Sequence, residues 1–135
     1  MSSSAIFDTS ILIDQIRSDK FRSRIPSVVG PIRISSVVLS ELARGAVTKA
    51  DAEILRNLAK NQKILTPTEK NWIESGELLG KMRKDLGFEP NKLRDLHFDV
   101  LIALTAMSCG ACLITSNRAD FELIRGYREF ELEVW

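Results

Sequence analysis

Leu93-Arg94-Asp95-Leu96-His97-Phe98-Asp99-Val100-Leu101-Ile102-Ala103-Leu104-Thr105-Ala106-Met107-Ser108 decides how this chain is read. From Val100 to Met107 no side of a helical wheel carries a charge. A helix that is apolar all round has to be covered all round, so this one is expected at the centre of the fold. Gly110 terminates it. Ala111-Cys112-Leu113-Ile114 follows as a short apolar strand, and Asn117 can cap a short helix running to Ile124. A buried helix feeding a strand that feeds another helix is a unit of an α/β protein. Asp99 stands early in the buried helix, where a carboxylate is costly unless it is paired or ligated.

Working outward, the same alternation fills the rest of the chain. Ser4–Phe7 reads as a strand, and Ser10 is placed to cap a helix beginning at Ile11. Gly30-Pro31 marks a turn, and Ile32-Arg33-Ile34 reads as a second strand. Ser35 or Ser36 then caps a helix over Val37–Arg44, stopped by Gly45, and an amphipathic helix covers Lys49 to Lys60. Lys63-Ile64-Leu65 reads as a third strand. Thr66-Pro67-Thr68-Glu69 predicts a helix start with Thr66 at the N-cap, Pro67 at the first position and Glu69 closing a capping box. Trp72, Gly76, Leu79, Met82 and Leu86 then form one apolar stripe, ended by Gly87. Phe88 to Lys92 reads as a connector, and Phe130 to Val134 as a last strand. This order predicts one domain over residues 1–135, an α/β fold with a parallel sheet and helices on both faces.

Composition narrows the function classes. The 135 residues are 44% hydrophobic and 27% charged, an ordinary globular balance that argues against disorder. The net charge of +1 is too small to attract nucleic acid by bulk field, so such contact has to come from local patches and bound cations. With one histidine, His97, and two cysteines, Cys109 and Cys112, a structural zinc site cannot be assembled. Both thiols lie in apolar context and are expected buried and reduced. No basic segment followed by an apolar run opens the chain, and the longest apolar stretch is too short for a bilayer. A cytoplasmic protein without membrane contact is therefore expected.

In parallel α/β sheets, ligands bind beyond the carboxyl ends of the strands. Acids gather there. Asp8 follows the first strand, Glu41 lies in the helix after the second, and Asn117 and Asp120 follow the fourth. Asp95 precedes Asp99 by one turn. Converging carboxylates raise one another's pKa unless a cation intervenes, and hard oxygen donors suit Mg²⁺ or Mn²⁺. Each acid also has a plainer use. Asp8 can cap the first helix, Glu41 can pair with Arg44, Asp99 can favour a helix N-terminus, and Asp120 can close a capping box with Asn117. Asp95 fits a solvated or supporting acid, and His97 a partly packed residue facing away from the acids.

These stretches also carry a family resemblance. Phe7-Asp8-Thr9-Ser10-Ile11-Leu12-Ile13-Asp14 resembles the opening motif of PIN domains, and Ile34-Ser35-Ser36-Val37-Val38-Leu39-Ser40-Glu41-Leu42 the second. Asp99-Val-Leu-Ile-Ala-Leu-Thr-Ala106 and Gly110-Ala-Cys-Leu-Ile-Thr115-Ser-Asn117-Arg-Ala-Asp120-Phe121 are similar to the third and fourth. Four motifs in order at compatible spacing, from Ile6 to Phe121, make the likeness specific. At this length it points to the VapC-like toxins of bacterial and archaeal toxin–antitoxin pairs. The resemblance implies a three-layer PIN-like domain with a five-stranded, mainly parallel sheet. It implies Mg²⁺- or Mn²⁺-dependent RNA cleavage leaving 5′-phosphate and 3′-hydroxyl ends, an antitoxin partner and a homodimer.

By position, Asp8, Glu41 and Asp99 match the family's three main acids. Some members place a fourth where Asn117 stands; here Asp120 can supply that charge. Thr9 and Thr115 match supporting hydroxyls. Arg118 lies beside the expected site and can touch phosphate. Arg17, Lys20, Arg22 and Arg24 form one local basic run, and Lys81, Arg83 and Lys84 a second that reads as solvated surface. Exposed apolar residues on the early helices are expected to receive an antitoxin helix. Three alternatives stay open: an RNA-processing nuclease outside a toxin–antitoxin pair, an inactive RNA-binding relative, and a receiver-type signalling module. The last lacks its acidic pair after the first strand, its acceptor Asp after the third and its Lys after the last.

Overall fold

The fold is described from a computed structural model over residues 3–135. Five strands alternate with helices: β1 (Ser4–Phe7), β2 (Ile32–Ser35), β3 (Ile64–Leu65), β4 (Ala111–Thr115) and β5 (Leu132–Val134). The helices are α1 (Thr9–Ser18), α2 (Ser36–Gly45), α3 (Lys49–Asn61), α4 (Glu69–Leu86), α5 (Pro90–Ser108) and α6 (Arg118–Arg125). The sheet order is β3-β2-β1-β4-β5, and every neighbouring pair is parallel. The expected three-layer α/β architecture is thus the observed one. All four residues of β1 are buried, as a strand covered on both faces requires.

The strand order has a consequence for the site. From β1 the chain first builds outward through β2 and β3, then returns to the other side of β1 to lay down β4 and β5. The order reverses between β1 and β4, and the carboxyl ends of these two strands are where such sheets hold their ligands. α5 crosses beneath this point, with every residue from Val100 to Ala106 buried. It packs on β4, α2, α4 and α6, which accounts for its lack of a polar face. Gly110 follows it with φ 63°, the left-handed geometry that ends a helix and turns the chain directly into β4.

Several local expectations are corrected. α1 begins at Thr9, two residues earlier than expected, so Ser10 lies inside its first turn and Asp8 takes the N-cap position. α4 begins at Glu69, with Thr68 rather than Thr66 as its cap. Thr68 Oγ1 accepts from Asn71 N, and Asn71 Oδ1 accepts from Thr68 N, each at 3.0 Å. Asn71, at the third helical position from Thr68, decides between the two threonines. The stripe of α4 is rotated accordingly: Asn71, Ser75, Leu78, Leu79 and Met82 are buried, while Trp72 and Leu86 sit at its exposed margins. α5 begins at Pro90, which takes the first helical position, so much of the expected connector is helix.

Asp99 consequently lies in mid-helix, not early, and the pull of a helix N-terminus does not explain it. The expected buried thiols are also corrected: Cys109 is exposed at the end of α5, and Cys112 is half-buried. Burial, with Glu131 and Glu133 nearby, pushes the Cys112 thiol up to about 11. Thr68→Ala removes one half of the α4 capping box and is expected to cost about 1 kcal/mol, read as a lowered thermal midpoint.

Candidate active site

Asp8 sits where β1 meets α1, with extended backbone (φ −65°, ψ 159°) and no capping bond from its side chain. Its carboxylate instead turns toward Ser10 and Thr115. Oδ2 accepts from Ser10 Oγ and from Thr115 Oγ1, both at 2.8 Å. Each hydroxyl is itself held by the turn after β4: Ser116 N donates to Ser10 Oγ at 3.1 Å, and Asn117 N donates to Thr115 Oγ1 at 2.9 Å. With their oxygens engaged as acceptors, the hydroxyls present protons to Asp8. Asp8 is 4% exposed, and this double clamp orients its carboxylate.

Glu41, in the second half of α2, is half-buried. Its Oε1 accepts from Thr9 Oγ1 at 2.7 Å, and among the described residues it forms no ion pair with Arg44. Burial holds its carboxyl above the usual range, opposed by the Thr9 hydrogen bond; nearby Asp8 raises it and Arg44 lowers it. Asp99 is pushed further, to about 8. Burial is the main cause, followed by the negative charges of Asp8, Glu41 and Asp120, against a weaker opposing pull from Lys92. Four acids from four separate stretches of chain therefore share one electrostatic neighbourhood.

Asp120 lies in the first turn of α6. Its N–H reaches Asn117 Oδ1, the cap of that helix, at 3.4 Å. Its Oδ2 accepts from Asn117 Nδ2, and its Oδ1 from Lys92 Nζ, both at 3.0 Å. Capping and membership of the acid group are thus both true of it. The structure brings together Asp8, Glu41, Asp99, Asp120, Thr9, Thr115 and Asn117. It leaves Asp95 exposed, with no hydrogen bond or ion pair among the described residues. Arg118 points along its own helix to Glu122 at 3.0 Å rather than to the acids. His97 Nε2 lies 3.2 Å from Ser75 Oγ, away from them.

Two contributors escaped the sequence reading. Ser10 was assigned to capping, although its spacing of two from Asp8 already allowed the side-chain contact seen. Lys92 was placed in a connector. It precedes Asp99 by seven residues, two helical turns, and shares its face because α5 starts at Pro90.

The donor set is suited to a hard divalent cation: carboxylates and hydroxyls, with no thiolate or imidazole. The repulsion acting on Asp99 is what such a cation would relieve. Ser116 Oγ, in the turn after β4, is buried without a hydrogen-bond partner among the described residues, a polar group left over in the same corner. Among the described residues the acids stop short of a closed ligand shell; no three of them form a ready-made metal cluster. Asp120 leans to Lys92 and Glu41 to Thr9, so side-chain rotations are needed to grip an ion.

A doubly covered parallel sheet with a carboxylate-rich centre at its switch point defines the class: an α/β protein with an acidic site at the carboxyl end of its sheet. The chain belongs to the PIN domain family, a family of nucleases, whose model matches residues 5–127. No curated protein sequence gives a significant match. Among solved structures, the chain is similar to VapBC2 from Rickettsia felis bound to a DNA fragment from their promoter. That match is 25% identical, with a TM-score of 0.76, and covers 98% of each chain. The DNA-bound VapBC from Salmonella typhimurium is 25% identical with a TM-score of 0.74, covering 100% of this chain and 99% of that one. VapBC-1 from nontypeable Haemophilus influenzae shares the fold at 22% identity and a TM-score of 0.75, covering 98% of each chain.

Proposed function

We propose that this chain is a Mg²⁺- or Mn²⁺-dependent ribonuclease and the toxin of a toxin–antitoxin pair, acting in the cytoplasm as a homodimer. The observation that carries the reading is the convergence of Asp8, Glu41, Asp99 and Asp120, with Asp99 driven to about 8 by burial and by the other three. Asp8, Glu41 and Asp99 would hold the cation, with Asp120 and Asn117 completing its surroundings. A divalent ion in this corner supplies polarisation of a phosphoryl oxygen and a more acidic water. The chain's own part is orientation. Ser10 and Thr115 fix Asp8, Thr9 fixes Glu41, and α5 carries Asp99 on a rigid, buried support.

The likeness to VapBC proteins supports an antitoxin partner. A groove between α1, α2 and α3, lined by Ile13, Ile16, Leu42 and Leu55 with Arg17 at its side, offers an apolar helix a seat next to Glu41.

The purified chain, incubated with mixed-sequence single-stranded RNA, is expected to cut it in Mg²⁺ or Mn²⁺ and to stop in EDTA, leaving 5′-phosphate ends. RNA left intact in both ions, or cut equally well in EDTA, would overturn the proposal. A short neighbouring reading frame whose product co-purifies and suppresses cleavage separates a toxin from an RNA-processing enzyme. Thr9→Val frees Glu41 and is expected to lower the cleavage rate about tenfold with a smaller change in KM, while Thr9→Ser retains most of it.

A further inference from the structure

Lys92 stands in the first turn of α5, the third residue from its start at Pro90. The N-terminal end of a helix carries partial positive charge, so a lysine there works against the helix dipole. The acid nearest to it on the same helix face is Asp95, three residues on, which forms no ion pair among the described residues. Lys92 instead reaches 28 positions along the chain, where its Nζ donates to Asp120 Oδ1 at 3.0 Å. Among the described residues it is the one cation in an ion pair with any of the four converging acids. The two side chains are 41% and 25% exposed, and a pair that open to water contributes little to stability. Neither the helix nor the stability of the fold accounts for this pairing.

We propose that Lys92 is a built-in competitor of the divalent cation, its ammonium and the ion contending for the same oxygen of Asp120. This rests on the cation-dependent reading above and adds the residue that sets how tightly the ion is held. Both oxygens of Asp120 are engaged within the protein, Oδ1 by Lys92 and Oδ2 by Asn117 Nδ2 at 3.0 Å. An ion on a remaining lone pair of Oδ1 would sit against the ammonium and be repelled by it. One of the two partners has to give way. Asn117 is fixed, because its own Oδ1 caps α6 by accepting from Asp120 N. Lys92 is the partner able to leave: its ammonium ends a flexible four-carbon stem and is partly exposed to water. The exchange favours the ion, since a double charge among four carboxylates acts on all of them, while the ammonium is bonded to one. Lys92 thereby raises the ion concentration that the site requires.

Mn²⁺ binding to the full chain without RNA provides the test. Electron paramagnetic resonance reads the free ion during a titration at pH 8.5 under nitrogen. Lys92→Met keeps most of the stem and removes the charge, and is expected to bind Mn²⁺ about tenfold more tightly than the wild type. Lys92→Arg keeps the charge and is expected to stay within about twofold of the wild type. A purely structural ion pair gives the opposite sign, because its loss loosens Asp120 and weakens the site. In an Asp120→Asn background the gain from Lys92→Met is expected to fall to about twofold, since the contested carboxylate is gone.

Circular dichroism checks that each variant folds, and Lys92→Gln carries the test if Lys92→Met does not fold. Unchanged or weaker Mn²⁺ binding in Lys92→Met overturns the competition and leaves the cation-dependent reading standing. A gain that survives in full in Asp120→Asn also overturns it, since Lys92 would then act through the field of the whole site and not at that oxygen. Mn²⁺ bound by neither the wild type nor Lys92→Met removes the cation from the reading above, and the competition with it.

Discussion

Asp99→Asn is expected to abolish phosphodiester cleavage, by about a thousandfold or more, and at the same time to raise the thermal midpoint of the metal-free protein by about 4 °C. The two effects share a cause. Asn keeps the shape of the side chain and removes the charge that burial and three neighbouring acids oppose. Without an ionisable group there the cation loses a ligand, and the metal-free folded state no longer has to hold a proton that the unfolded state releases. Initial rates on RNA in Mn²⁺ and thermal melts in EDTA measure both. An unchanged rate removes Asp99 from the centre, and a lowered midpoint shows that its carboxylate was already satisfied by the protein alone.

A second large effect is a pH dependence that divalent ions reverse. Asp99 titrates at about 8 in the folded chain against an ordinary value of 3.8. Between those values the folded state holds a proton that the unfolded state has released. The contribution to stability is complete below the lower value and is lost as pH rises through the upper one. Glu41, raised as well, acts in the same direction. The difference in stability between wild type and Asp99→Asn is therefore expected to widen from pH 5 to pH 8.5 in EDTA. Cation binding needs the deprotonated acids, so it strengthens with pH. At a hundredfold excess over Kd an ion adds about 2.7 kcal/mol. A Mn²⁺-induced rise in midpoint that is as large at pH 5 as at pH 8, or that persists in Asp99→Asn, contradicts this account.

The features legible in the sequence were those with strong physical signatures. A stretch with no polar face, Val100–Met107, had to be central, and the strands around it had to be parallel. Asp8, Glu41 and Asp120 could be placed because each follows a strand at the carboxyl edge of such a sheet. What escaped depended on helix boundaries. Thr66-Pro67-Thr68 offers two threonines as caps, and the choice rests on a side-chain contact from Asn71, which periodicity does not report. Starting α5 at Leu93 hid Lys92, the cation paired with Asp120. Reading Ser10 as a cap hid its bond to Asp8. The depth of Cys109 was misjudged because it stands where the helix has already left the core.

The clamp on Asp8 joins residues 107 positions apart, because Thr115 belongs to the strand laid beside β1 only after most of the chain has been made. During translation, the first strand therefore leaves the ribosome long before its neighbour on that side exists. Loop closure over such a span is slow, and nothing local can substitute for it. A nascent chain halted anywhere before β4 lacks Thr115, and with it one of the two hydroxyls that hold Asp8. On the proposed ribonuclease reading, products truncated before β4 are therefore expected to leave RNA intact.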